Sequence, residues 1–283
     1  MKKCVGVGFK DVGKIYYFNP EPFKLHIGSM VVVETARGLE LAKVMTDVVE
    51  FEDDKFEHEL KDVVRPASEK DILQFLENER EAASLAPFIK EMIKECGLDM
   101  KFVGCEFTLD ASKILIHYTA DGRVDFRELV KKLASELRVR IELRQIGPRE
   151  AAKLMGGLGE CGREVCCASH LREFNQVTMK MAKDQNMSLS ANKITGVCGK
   201  LLCCIGYEEC VYLDAKKRLP GVGDIVDTEM GNGKVVLAVD YIKETIQIKK
   251  DDETLVNIPA NEVKVIKKRY SPQEEEEDDE KIA

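Results

Sequence analysis

Residues 159–167 read GECGREVCC, and residues 196–204 read GVCGKLLCC. Cys161, Cys166 and Cys167 thus recur at the same spacing as Cys198, Cys203 and Cys204. The repeat asks the chain to build one local arrangement twice and to display three thiols from each copy. A packed core uses one or two thiols as small hydrophobes but has no need of a repeated pattern that ends in adjacent cysteines. The remaining cysteines differ in kind. Cys4, Cys96 and Cys105 stand apart and read as core residues, whereas Cys210 follows Cys204 by six positions and stays a weak candidate for the same chemistry.

Which chemistry is open depends on the compartment. No apolar run approaches the length of a membrane span, and the opening MKKCVGVGFKDVGKIYYF lacks the apolar block of a secretory signal. A cytoplasmic location is therefore expected, where a structural disulfide framework is disfavoured and metal or redox chemistry is favoured. A dithiol centre usually has Cys-x-x-Cys spacing, which neither motif has. A nucleophilic cysteine wants a histidine base. His170 lies near Cys167, but the second motif has no equivalent.

Metal ligation remains, by zinc or by iron–sulfur. Zinc takes four ligands, usually from two Cys-x-x-Cys turns. A longer interval at both turns is unusual, and adjacent cysteines point apart, which suits a bulkier cluster or two centres. The Cys-x4-Cys interval occurs among iron–sulfur proteins. Gly162 and Gly199 would admit backbone N–H groups, and Arg163 and Lys200 hold equivalent places where they offset cluster charge or simply face solvent. Two cubes need more sulfurs than the motifs supply, so Cys210 with another cysteine, or a partner, would complete them. The residues alone lean slightly toward iron–sulfur.

The rest of the chain predicts an α+β, multi-domain protein. Hydrophobic residues make up 44% and charged residues 33%, a balance that excludes wholesale disorder. Residues 1–60 read as an N-terminal β-barrel-like region with strands VGVGF, KIYYF, SMVVVET and LELAKVMTDVV. Residues 219–268 read as a C-terminal SH3-like β-barrel, with MGNGK and KKDDE as turns. The two ends align without gaps, 27–44 over 222–239, matching Gly28 with Gly223 and Gly38 with Gly233. Both are expected to be small SH3-like barrels.

Residues 61–147 read as an α+β domain. Its first helix opens at a Ser68/Asp71 capping box and carries Ile72, Leu73, Phe75, Leu76, Ile89, Met92, Ile93 and Cys96 at helical intervals. Pro87 is expected to kink or divide it and Gly97 to stop it. Two strands, a helix from Asp125 to about Leu137, and the strand RVRIELRQI follow. In that strand Val139, Ile141, Leu143 and Ile146 form the buried face. Arg138, Arg140 and Arg144 line the other as phosphate contacts for RNA, although Glu142 among them favours a plain solvated face. Residues 148–218 form the cysteine-rich segment. Residues 269–283 form a disordered acidic tail that holds most of the net charge of −8 and is able to repel or compete with nucleic acid.

With IGPREAAKLMGGLGECGREVCC, MKMAKDQNMSLSANKITGVCGKLLCC and PGVGDIVDTEMGNGKVV in view, the chain resembles the bacterial RicT family, also called the YaaT or stage-zero sporulation family, which carries a PSP-type domain. The resemblance runs over nearly the whole chain except the acidic tail. It implies a non-enzymatic regulatory subunit that assembles with two small helical partners, YlbF and YmcA, into a complex binding [4Fe–4S] clusters. That complex adjusts the action of ribonuclease Y on messenger RNA, and through it sporulation, competence and biofilm formation. It further implies ligand roles for Cys161, Cys166, Cys167, Cys198, Cys203 and Cys204. Flavin (FAD) belongs to the same implication, with no phosphate loop in the sequence to locate it. The alternative from a different class is a zinc-containing protein that binds RNA directly.

Overall fold

The computed structural model describes residues 2–51, 60–229, 231–250 and 252–269. The chain forms two compact units. One comprises Met1–Phe174 with Gly196–Lys200, the other Asn175–Thr195 with Leu201–Ala283. The acidic tail beyond Arg269 lies outside the described residues.

The first unit begins with a six-stranded antiparallel sheet of β1 (Lys2–Gly8), β2 (Tyr16–Phe18), β3 (Met30–Thr35), β4 (Gly38–Val44), β5 (Val49–Phe51) and β6 (Val63–Pro66). The order is β2-β1-β4-β3-β6, with β5 also paired to β1. Val5, Val7, Val31, Val33 and Val44 fill the core on one face. The unbroken run Val31-Val32-Val33 is possible because β3 is covered on both sides: Val32 points the other way, against Leu41, Leu109, Ile72 and Phe75.

That second layer belongs to α1 (Glu69–Glu95), which then runs alongside a three-stranded sheet. The Ser68 side chain accepts from the Asp71 N–H, and the Asp71 carboxylate accepts from the Ser68 N–H, as the capping box predicts. Hydrogen bonds from Arg65 and Ser68 hold the Asp71 carboxyl well below the usual carboxylate range. Of the kink or division expected at Pro87, the division does not occur: the helix continues through it. Its anchors are Ile89 and Ile93, buried against the sheet, while Asn78 donates to the Thr108 and Leu109 carbonyls. Leu73 and Leu76, expected on the apolar stripe, face outward. Gly97, in the left-handed region, ends the helix as predicted.

The sheet comprises β7 (Lys101–Phe107), β8 (Lys113–Thr119) and β9 (Arg140–Gln145) in the order β7-β8-β9. β7 is antiparallel to β8, and β8 is parallel to β9, with α2 (Arg127–Leu137) as the crossover. Ile114, Ile116, Leu129 and Leu133 are fully buried, each side chain contributing about 1.5–3 kcal/mol of transfer free energy. Ile141 and Leu143 face this core as predicted, and Arg140 and Arg144 are exposed. Arg138 departs from the reading. It is the left-handed cap that closes α2, with φ 55°, so it precedes the strand.

The second unit ends in a five-stranded antiparallel sheet, a four-strand meander closed by a fifth strand returning to the first. It contains β10 (Ile225–Thr228), β11 (Gly231–Asp240), β12 (Thr245–Lys249), β13 (Leu255–Pro259) and β14 (Lys264–Lys267), ordered β13-β12-β11-β10-β14. Its core is Val226, Val236, Val239, Ile246, Ile248 and Ile258, onto which Ala215 packs. The two ends do share hairpin chemistry, but in a shifted register. The Gly28 and Gly223 N–H groups donate to Val44 and Val236. The turns, however, match as Thr35–Gly38 and Thr228–Gly231, each closed by a threonine hydroxyl donating to the glycine carbonyl. β10 is shorter than β3, so GNGK falls inside β11 instead of forming the expected turn.

Candidate functional site

The twin motifs fold alike, position for position. In the first, Leu158 bridges Glu164; in the second, Thr195 bridges Leu201. The Gly159 N–H donates to the Arg163 carbonyl at 2.8 Å, as the Gly196 N–H does to Lys200 at 2.8 Å. Gly162 N–H donates to Gly159 at 2.9 Å, and Gly199 N–H to Gly196 at 2.9 Å. Val165 and Leu202 each reach back to a carbonyl ahead of the bridge, Gly157 and Ile194. Both then turn into helix with nearly the same dihedrals, φ −55°, ψ 131° and φ −56°, ψ 128°. The adjacent cysteines are the first residues of α4 (Cys166–Ser169) and α7 (Cys203–Arg218).

The glycine requirement is conformational. Gly162 has φ 76° and Gly199 φ 75°, in the left-handed region, and a side chain at either would meet nothing within 4 Å. Arg163 and Lys200 serve the knuckle through their carbonyls, and both side chains are exposed. Each knuckle is held by what flanks it. The first follows α3 (Pro148–Met155), whose Ala151 and Ala152 are buried, and precedes Arg172, whose guanidinium donates to the Asp11 and Gly13 carbonyls. The second is pinned by Ile194 and Ile205, packed with Ala182 of α5 (Met179–Asp184) just before α6 (Ala191–Ile194). Gln185 donates to the Ile205 carbonyl at 2.6 Å.

The thiols differ in burial. Cys167 is buried, Cys161 and Cys210 are exposed, and Cys166, Cys198, Cys203 and Cys204 are intermediate. Cys161 folds back over its turn, with Sγ 3.5 Å from where a Gly159 side chain would begin. Burial pushes the Cys167 thiol up, and the neighbouring Cys198 adds to that, while Lys153 and Arg149 pull it down. Cys167 and Cys198, one from each motif, thus lie within electrostatic reach in the first unit. Lys153 in turn is lowered by burial and by Lys10 and Arg172. This basic surround was missed by sequence reasoning, since Lys10 and Arg172 come from distant segments.

Donor type and donor convergence give different answers. Thiolates on glycine turns suit zinc or iron–sulfur in kind. Among the described residues, however, no three His, Cys, Asp or Glu side chains gather closely enough to hold an ion. Cys198 stays within electrostatic reach of Cys167. His170 bonds to the Ser169 hydroxyl through Nδ1 at 2.9 Å, and Tyr207 stands at the equivalent place in the second motif. Of the isolated cysteines, Cys4 is in the N-terminal core and Cys96 and Cys105 pack on the central one, as expected. Cys105 donates to the Ala82 carbonyl, and burial pushes its pKa up to about 11.

The α+β module and the segment that contains the second knuckle and α7 define a PSP1-type protein. Residues 61–146 match the PSP1 C-terminal conserved region, and residues 176–219 match the third domain of PSP1-like proteins. The chain belongs to the family of the stage 0 sporulation protein YaaT of Bacillus subtilis (strain 168), to which it is 46% identical over 248 residues, covering 88% of this chain and 90% of that one. No solved structure matches. No helix among the described residues is long and apolar enough to cross a membrane.

Proposed function

We propose that this chain is a non-catalytic, iron–sulfur-binding regulatory subunit. It assembles with YlbF- and YmcA-like helical proteins and adjusts ribonuclease Y-dependent processing of messenger RNA, with sporulation, competence and biofilm formation downstream. The observation that carries the reading is the pair of knuckles with matching hydrogen bonds, each carrying three thiols at the same spacing. Kinship to a sporulation protein supports the regulatory part. Cys161, Cys166, Cys167, Cys198, Cys203 and Cys204 are the proposed ligands. Among the described residues no three donors gather, and in this reading donors from partner chains complete the set. A bound cluster would cross-link the knuckles and thereby shape a docking surface. The C-terminal strand order, with a 3₁₀ turn at Ala260–Glu262 before β14, supports a small SH3-like barrel there.

The test is anaerobic co-expression with both partners and gel filtration, comparing wild type with a variant carrying serine at all six positions. The reading expects a brown ternary complex from wild type and none from the variant. A colourless variant that still assembles and restores transcript processing would defeat it. Zinc in place of iron and sulfide would promote the alternative of a zinc-containing RNA-binding protein.

A further inference from the structure

The first unit contains an open groove of about 1650 Å3, larger than a drug-sized pocket and suited to an extended ligand. It follows β7, the edge strand of the central sheet, and is walled by α1, the β1–β2 loop and the β3–β4 hairpin. Its charge is opposite to that of the chain. The whole sequence has 51 acids and 43 bases, whereas the groove is lined by eleven Lys or Arg and seven Asp or Glu. Four of those acids are already paired inside it: Asp11 with Lys43, Glu40 and Glu106 with Arg37, and Glu142 with Lys113. Lys14, Lys90, Arg149, Lys153 and Lys200 have no carboxylate ion pair among the described residues.

Aromatic rings interleave with these cations. Lys14 lies over Tyr16 at 5.8 Å, Lys90 over Phe102 at 5.7 Å, and the Arg149 guanidinium over Phe174 at 5.0 Å. All three pairs line the groove, and Tyr16 is 45% exposed. The groove also holds two buried nitrogens with no hydrogen-bond partner among the described residues, His117 Nδ1 and Arg149 Nε. His117 is only 5% exposed, with its other nitrogen 3.2 Å from Glu106.

We propose that this groove binds a single-stranded nucleic-acid segment. Lys14, Lys90, Lys153 and Lys200 would meet phosphates, and Tyr16 and Phe174 would stack bases. Unpaired cations alternating with exposed rings match the two repeating chemistries of a single strand, and a duplex hides one of them. An acidic peptide would use the charges but not the rings. Taking RNA as the cellular ligand rests on the proposed role in RNA processing; the groove's chemistry stands without it.

The experiment is fluorescence anisotropy of a labelled 12-nucleotide oligo-U with the purified full-length chain, over a salt series, with oligo-dT, a duplex of equal length and a polyglutamate peptide as competitors. Lys14→Glu/Lys90→Glu is expected to weaken binding at least tenfold and to reduce the salt slope by about 1.4, since each phosphate contact contributes about 0.7 for single strands. Tyr16→Ala should weaken it about 5- to 100-fold while Tyr16→Phe retains it. Lys70→Glu/Lys131→Glu, the same charge change at exposed sites outside the groove, should stay closer to wild type. Preference of oligo-U over oligo-dT identifies RNA as the ligand, and parity supports single strands of either kind. Groove variants within twofold of wild type, control variants equally weakened, or equal competition by duplex or polyglutamate would each overturn the proposal. Repeating the titration with the six-serine variant separates the two ideas: binding that survives loss of iron supports the groove whatever becomes of the cluster.

Discussion

Replacing Gly162 by alanine isolates the strain on which the knuckle depends. Its φ of 76° lies where an L side chain crowds its own carbonyl, and a Cβ there meets no other atom within 4 Å. The whole cost is therefore the left-handed backbone term, about 1–2 kcal/mol. For a unit of this size that corresponds to a fall in melting temperature of about 2–8 °C. Asparagine, which visits the left-handed region more readily, should cost less than half as much at the same position. Gly199, at φ 75° with the same open surroundings, should reproduce both values. Gly122 is the control, since it has open space around it without a positive φ; alanine there should be neutral or stabilising by up to about 1 kcal/mol. Urea unfolding with constant m values reads the energies. On the proposed iron–sulfur role, iron retained after anaerobic purification should fall in the same order, because the turn sets the interval between Cys161 and Cys166. Equal costs for alanine and asparagine, or a comparable loss at Gly122, would refute strain as the cause.

Other outcomes follow from the central module. Burial opposes ionisation of Glu106, yet the His117 hydrogen bond and the charges of Lys10, His117 and Arg37 bring its pKa from 4.5 down to about 2. Its contribution is thus present above about pH 4.5 and lost as pH falls toward 2, so Glu106→Gln should flatten the stability profile across that window in acid titration. Asn78→Ala strands the hydrogen bonds to Thr108 and Leu109 and should cost about 1–3 kcal/mol by denaturant unfolding. Leu133→Ala in the fully buried core should cost about 2–5 kcal/mol in the same assay. Pro87→Ala restores a helix N–H and should raise the melting temperature.

Local signals were legible where residues speak to near neighbours. The capping box at Ser68 and Asp71, the stop at Gly97 and most strands of both terminal sheets could be read directly. The knuckles were legible as a spacing, and their common hydrogen bonding makes that spacing a shape. What sequence hid depends on tertiary cover. Leu73 and Leu76 fit a helical stripe, but α1 buries only the faces its sheets reach, through Ile72 and Phe75 and later Ile89 and Ile93. Pro87 was read as kinking or dividing the helix; it does not divide it, because the helix on either side is held by packing, which overrides one missing bond. Arg138 followed the strand's alternation in sequence but serves as a helix cap. β14 went unread because all four of its residues are exposed. The partnering of His117, Glu106 and Arg37 joins two sheets, and no local pattern announces it.

Iron and acid-labile sulfide, quantified per chain in the complex isolated without oxygen alongside its six-serine counterpart, bear most directly on the proposed role of the knuckles. Both elements should be present together in wild type and absent from the variant, with partner assembly lost in parallel. Zinc alone in the wild-type complex, or a metal-free complex that assembles and functions normally, would contradict it.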